Sequence, residues 1–212
     1  MGKYGIGQAV IRREDEKLLF GSGQFLDDLN FENQTYIWFL RSPYARALIR
    51  SIDIEEASSM EGVIKVLTGD QLEALGVGCL PVNATLKRSD GSSMSAPVNY
   101  PLAVGAVDYV GKAVVAVVAE TREQAQNAAE AIFVDYEELP AVVTVEDALA
   151  EGAPQICKDA PRNIAAENEI GDYEEAFLAL EGSNHVTSIE INNQRLVPVS
   201  MEARGSIASY DA

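Results

Sequence analysis

Gly111–Pro140, "GKAVVAVVAETREQAQNAAEAIFVDYEELP", decides the fold class. "KAVVAVVAE" is a continuous apolar run of strand length, which reads as a buried strand. Thr121 follows, with Gln124 three residues on. That is capping-box spacing, in which each side chain satisfies the other's backbone N–H at a helix start. Ala125, Ala128, Ala129 and Ile132 then fall at i, i+3, i+4 and i+7, one narrow face of small side chains that lets a helix lie close on a sheet. "AIFVDYEEL" is a second strand, stopped by Pro140. Strand–helix–strand at this spacing predicts a crossover unit in an α/β domain.

Working outward, "TYIWFLRSP" is rich in β-branched and aromatic residues and ends on Pro43, a strand signature. "ARALIRSIDI" alternates as another strand. "EEASSMEG" reads as a short helical turn closed by Gly62, and "VIKVL" as a further strand. Thr68 and Gln71 repeat the capping-box spacing before "DQLEALG", a short helix ended by Gly76. From Leu80 to Pro101 the composition turns to Pro, Ser and a Ser-Asp-Gly turn, so a long irregular excursion is expected; loops of that length usually serve function or face a partner. "TVEDALAEG" adds a short helix. The first domain is therefore placed at residues 1–152, with an N-terminal arm.

Residues 153–212 read differently. "APQICKDAPRN" is a proline-bearing linker, and "GDYEEAFLALEG" a helix with Tyr173, Phe177 and Leu180 on one stripe. "HVTSIEI" and "RGSIASYD" alternate as strands that would form a hairpin around Asn192–Ala203. With nothing following to cover it, such a hairpin is marginal in water and is expected to dock on something else.

Bulk properties narrow the function. The 212 residues are 47% apolar, enough for a real core, and carry 33 acidic against 16 basic residues, a net charge of −17. Charge of that sign repels phosphate backbones and anionic lipid, so neither nucleic acid nor membrane is an expected partner. The longest apolar run, Ala113–Ala119, is far short of the roughly twenty residues a membrane helix needs. "MGKYGIGQAVIRRED" has no apolar stretch ahead of its charges, so no secretory signal is read, and the expected compartment is the cytoplasm. Cys79 and Cys157 stand apart without metal-ligand spacing and read as reduced thiols; no iron–sulfur cluster is expected on this chain.

Chemistry-bearing patterns are sparse. Gly21-Ser22-Gly23 lacks the third glycine of a dinucleotide loop, since Leu26 holds that place, and reads as a turn. His185 is the single histidine, which excludes His-rich metal sites; at the start of a strand it reads as structural and not as part of a triad. Asp27–Asp28 and Glu137–Glu138 are adjacent acids whose side chains point apart, so they read as solvated surface. Trp38 reads as core. Asn192, Asn193 and Gln194 read as a polar turn, and Glu202 with Arg204 as a local ion pair.

Taken in order, "RREDEKLLFGSGQFLDDL", "RSPYARALIRSID", "EGVIKVLTGDQL", "YVGKAVVAVVAET", "AAEAIFVDYEELPAVV" and "NQRLVPVSMEARGSIASYD" resemble the N-terminal part of the large subunit of the xanthine dehydrogenase / aldehyde oxidase / carbon monoxide dehydrogenase family, the molybdenum hydroxylases. The likeness covers most of the chain outside Leu80–Pro101. It implies an α/β (α+β) fold: a hammerhead-like mixed sheet with packed helices over about residues 18 to 140, then the start of a molybdopterin-binding domain from about residue 160. It also implies that Gln194 reaches the molybdenum centre. An uncharged amide can donate to an oxygen there without competing as a ligand. The cofactors implied are molybdenum–molybdopterin in its cytosine dinucleotide form, with [2Fe–2S] and FAD on partner subunits. The implied partners are those two subunits and the remaining molybdopterin-binding segment. The implied reaction is oxidative hydroxylation of an aldehyde, an N-heterocycle or carbon monoxide, with electrons leaving through Fe–S and FAD.

The spacing from Gln194 to Glu202 resembles the carbon monoxide dehydrogenase branch more than the eukaryotic xanthine oxidases. Ala203 replaces a proline common in relatives, and Lys112-Ala113 a commoner acidic-Pro pair. The glycine-rich pterin loops and the general-base glutamate of a full large subunit do not occur in these 212 residues. The chain is therefore expected not to be catalytic alone. Either it is one piece of a split subunit, or it is a truncated hammerhead that acts only as a binding module.

Overall fold

A computed structural model describes all residues except 1–6, 8–10, 83–85, 89, 97, 168–169, 195 and 212. Its packing divides the chain into two compact units, Thr35–Val186 and the pair Met1–Gln34 with Thr187–Ala212. These units differ from the 1–152 and 153–212 division: the arm packs with the last residues, and the linker packs with the first domain.

The larger unit is α+β, built on two three-stranded sheets. One has the order β1 (Tyr36–Arg41), β5 (Ala113–Ala119), β3 (Val63–Thr68); the other has β4 (Ala106–Val107), β2 (Ala47–Asp53), β6 (Phe133–Glu138). All pairings are antiparallel. The crossover expected from Gly111–Pro140 is therefore corrected. Both edges of β5 are taken, by β1 and β3, so the strand leaving the helix cannot pair beside it and joins β2 in the other sheet. The mixed sheet expected for the fold resolves into these two antiparallel ones.

Local chemistry makes the elements where the sequence places them. The helix α4 (Arg122–Glu130) opens on Thr121, whose hydroxyl accepts from Gln124 N–H at 3.2 Å while the Gln124 side chain accepts from Thr121 N–H at 3.0 Å. Its Ala125, Ala128 and Ala129 are buried, and it lies on β1 and β5. Val114, Val115 and Val117 of β5, on both faces of the strand, are fully buried, each worth about 1.5–3 kcal/mol in burial. Trp38 is half-buried against this core, with the Arg122 guanidinium 5.8 Å from its ring centre. The alternate residues Ile37 and Phe39 stay exposed.

Two short helices, α2 (Glu55–Ser59) and α3 (Gly69–Ala74), pack on β3. The Thr68/Gln71 capping box forms as the spacing predicts, and Gly76 closes the helix with φ +82°. Gly69 is required by a close approach: a Cβ there would stand 2.1 Å from the Ala103 carbonyl oxygen.

The Leu80–Pro101 excursion is irregular where described, apart from a bridge between Lys87 and Ser93 closed by Asp90–Gly91. Hydrogen bonds from Ser92 lower the Asp90 carboxyl below its ordinary pKa. The excursion is tied down: Ser95 N–H donates to Ala165 O at 2.9 Å, and Arg88 donates to Asp159 O at 2.7 Å. After α5 (Val145–Leu149) the linker is pinned as well. Arg46 donates to Pro140 O and Gln155 O, and the Asn163 amide bridges Ala148 O, Pro154 O and Ile156 N–H. The last helix, α6 (Tyr173–Glu181), is capped by Asp172 and carries a Tyr173–Phe177 stack at 6.1 Å, with no residue buried.

The expected terminal hairpin is corrected. Residues 185–211, where described, form no strand, and Val186, Ile189, Ile191, Val197, Val199 and Ile207 are exposed. Among the described residues none of these side chains is buried, and a two-stranded ribbon with no covered face is marginal in water.

Candidate functional site

The smaller unit holds the sequence-predicted site residue. α1 (Asp15–Leu19) ends in a left-handed glycine turn: Gly21, at φ +69°, donates to Leu18 O, and Ser22 N–H donates to Lys17 O at 2.9 Å. Gly23 leaves room for the Leu18 side chain, so Gly-Ser-Gly is the turn the sequence reading made it. The arm then makes a 3-10 turn over Leu26–Asp28. Asp28 accepts from Phe25 N–H at 2.9 Å, and Glu202 Oε1, 176 residues away, accepts from Leu26 N–H at 3.1 Å. Gly205 lies against the Leu26 side chain; a Cβ there would be 2.1 Å from Leu26 Cδ2.

The Glu202–Arg204 ion pair is thus corrected: the Glu202 carboxylate is spent on the arm's backbone. The ion pairs among the described residues are Arg12–Asp15, Arg50–Glu137 and Lys112–Asp108. Gln194 lies on irregular, exposed backbone, and its amide meets no partner among the described residues. His185 is exposed and outside any strand. Cys79 and Cys157 are free thiols.

The paired acids are surface groups: Glu137 pairs with Arg50 on the neighbouring strand, and Glu138 is exposed. Lys112 has a local explanation. Its ammonium sits 2.7 Å from Asp108 Oδ1 and 5.5 Å from the Tyr109 ring centre, an ion pair inside the turn that leads into β5. Tyr136 is the one buried side-chain hydroxyl without a hydrogen bond among the described residues. Burial raises its pKa. The nearby Ser42 hydroxyl eases this only in part, since its oxygen is engaged with the Tyr44 backbone. Sequence reading missed this group, because an alternating strand does not reveal what faces its hydroxyl.

Two shallow clefts, of about 260 and 220 Å³, lie on the larger unit. One is lined by Ile49, Ser51, Thr68, Asp70 and Gly105, the other by Arg41, Tyr100, Tyr109 and Lys112. Neither includes a sequence-predicted site residue. Tyr100 donates to Glu73 Oε1 at 3.3 Å, and the glutamate's charge raises the tyrosine pKa. Among the described residues no three His, Cys, Asp or Glu side chains are grouped to hold a metal ion, and no helix is long and apolar enough to cross a membrane.

Two small antiparallel sheets with short helices packed on them are the architecture of a hammerhead domain. The family description "Aldehyde oxidase and xanthine dehydrogenase, a/b hammerhead domain" matches residues 20–140, and the chain belongs to that family. The chain is 35% identical over 208 residues to the nicotine 6-hydroxylase large subunit of Paenarthrobacter nicotinovorans, covering 97% of this chain and 24% of that one. Quinoline 2-oxidoreductase from Pseudomonas putida 86 superposes with TM-score 0.64 at 39% identity, over 73% of this chain and 19% of that one. Carbon monoxide dehydrogenase from Oligotropha carboxidovorans superposes with TM-score 0.72 at 30% identity, over 85% and 23%. The chain therefore spans about a quarter of the length of the relatives it matches.

Proposed function

We propose that this chain is a component of a molybdenum hydroxylase, supplying the hammerhead domain and, over residues 153–212, the start of the first molybdopterin-binding domain. The observation that carries the reading is similarity to a large subunit over 97% of this chain, past the hammerhead and through the exposed terminal residues. The exposed apolar side chains between Val186 and Tyr210 fit a segment completed by further protein. Two of the three relatives are named for nicotine and quinoline, both N-heterocycles, which favours an N-heterocycle over an aldehyde or carbon monoxide as substrate.

One residue of this chain, Gln194, would suit a molybdenum held by a pterin. Such a metal takes its anchoring ligands from the cofactor and needs neutral donors from the protein, and Gln194 offers a free amide of that kind. When bound, the cofactor supplies the redox centre for hydroxylation. Gln194 would orient a group at that centre by donating one hydrogen bond. The reading includes the cytosine dinucleotide form, [2Fe–2S] and FAD on partner subunits, and a cytoplasmic location.

The test is to isolate the tagged chain from its own host with whatever assembles on it, then measure mass and molybdenum together. A complex heavier than one chain with molybdenum co-eluting is the expected result. A molybdenum-free monomer would refute the reading, leaving a hammerhead that serves as a binding module. Within a loaded complex, Gln194→Ala is expected to lower turnover while assembly and molybdenum content hold. Unchanged turnover would remove Gln194 from the site.

A further inference from the structure

Two independent contacts join the N-terminal arm to the segment that follows Gln194. The Leu26 N–H donates to Glu202 Oε1 at 3.1 Å, and the Leu26 side chain occupies the space above Gly205 that a Cβ would fill. The first is a charge-assisted hydrogen bond to a backbone donor that the 3-10 turn itself leaves open. The second is shape: only glycine at position 205 lets Leu26 approach so closely. The backbone around them is otherwise irregular, so these contacts do not follow from a shared sheet or helix. Asp28 fixes the turn that presents Leu26, by accepting from Phe25 N–H. Ser200 adds order on the other side, its hydroxyl donating to Glu202 O at 2.6 Å.

We propose that residues 25–28 are an intramolecular strap that docks on Met201–Gly205, and that Glu202 is thereby a positioning residue for the segment bearing Gln194. What the segment is positioned for rests on the function proposed above; the strap itself does not. Gln194 lies eight residues before Glu202 on backbone that makes no strand or helix. An anchor at 202–205 shortens the free span and limits where the amide can go. The arm then belongs structurally with the second domain, although it precedes the hammerhead in sequence. It also gives the Met-Glu-Ala-Arg-Gly turn a use: Glu202 and Gly205 bind the arm.

The test is solution NMR on the full chain, labelled with ¹⁵N and with ¹³C at leucine methyls. A nuclear Overhauser contact between a Leu26 methyl and the Gly205 Hα protons is expected, with a Leu26 amide that exchanges slowly. Glu202→Ala is expected to speed Leu26 amide exchange at least tenfold, which corresponds to about 1.4 kcal/mol. Glu202→Gln keeps an acceptor oxygen and should restore most of the protection, which a general loss of structure would not do. Gly205→Ala should turn the Leu26 methyl out of its place, weakening its contact with residue 205, and shift the Leu26 amide. Leu26→Ala combined with Gly205→Ala should cost less than the sum of the two single changes, because the clash is relieved. A wild-type Leu26 amide exchanging at the unprotected rate, or additive single and double variants, would overturn the strap. Molybdenum content does not enter, so the strap and the enzyme reading fail separately.

Discussion

Ala113–Ala119 and His185–Ile191 both carry a strand signature and have opposite fates. "AVVAVVA" is a continuous apolar run and "HVTSIEI" alternates apolar with polar residues, and both read as strands. Ala113–Ala119 has a strand on each side and α4 above, and its central valines are fully buried. His185–Ile191 forms no strand and stays exposed. The difference lies in what is available to cover each run. Strand propensity measures fitness for a pleated, half-covered surface, and without that surface it gives no strand.

The sharpest attempt to break this contrast is a buried charge. Val117→Asp, at a fully buried position, is expected to cost about 4 kcal/mol or more and to leave the larger unit unfolded by circular dichroism. Ile189→Asp in the uncovered segment should shift the melting temperature of the isolated chain by less than the measurement error. In the assembled complex the same change should impair association. Equal effects of the two substitutions in the isolated chain would collapse the contrast.

Next in size is Gly69→Ala, where the added methyl meets the Ala103 carbonyl and not a movable side chain. A loss of roughly 2–3 kcal/mol in urea unfolding is expected. Thr121→Ala removes the hydroxyl that caps α4, for a loss of about 1 kcal/mol.

The smallest and most specific expectation concerns Tyr136. Its phenol is buried and its pKa is raised in the folded chain, so above the ordinary tyrosine value near 10 the unfolded state releases its proton first. Stability from this group is therefore complete at lower pH and is lost as pH rises past about 10. Tyr136→Phe removes an unsatisfied buried hydroxyl. It should leave stability at pH 7 unchanged or slightly higher, with a shallower decline at alkaline pH in thermal melts. A steeper decline would contradict the burial account.

Most elements of the hammerhead could be read from local signals. Both capping boxes, the alanine face of α4, the burial of β5 and the glycine turns follow from chemistry within a few residues. Pairing could not be read that way. That β6 joins β2 and not β5 depends on β1 and β3 taking both edges of β5, and those strands are about 80 and 50 residues away. The Glu202 carboxylate was equally illegible, because its acceptor role is set by a backbone N–H near the other end of the chain and not by Arg204 two residues on. Gln194 entered through family resemblance alone. Its local sequence is that of a polar turn, and its surroundings in this chain are solvent.

Hydrogen–deuterium exchange across the whole chain, alone and in its assembled complex, tests the account most directly. In the isolated chain strong protection of β1, β5 and α4 is expected, together with near-unprotected exchange over residues 187–194 and 206–211, on either side of the Met201–Gly205 stretch on which the arm docks. On assembly those residues should become protected while the hammerhead changes little. Slow exchange over 187–194 and 206–211 in the isolated chain, or none gained in the complex, would contradict the proposal that this segment is completed by further protein.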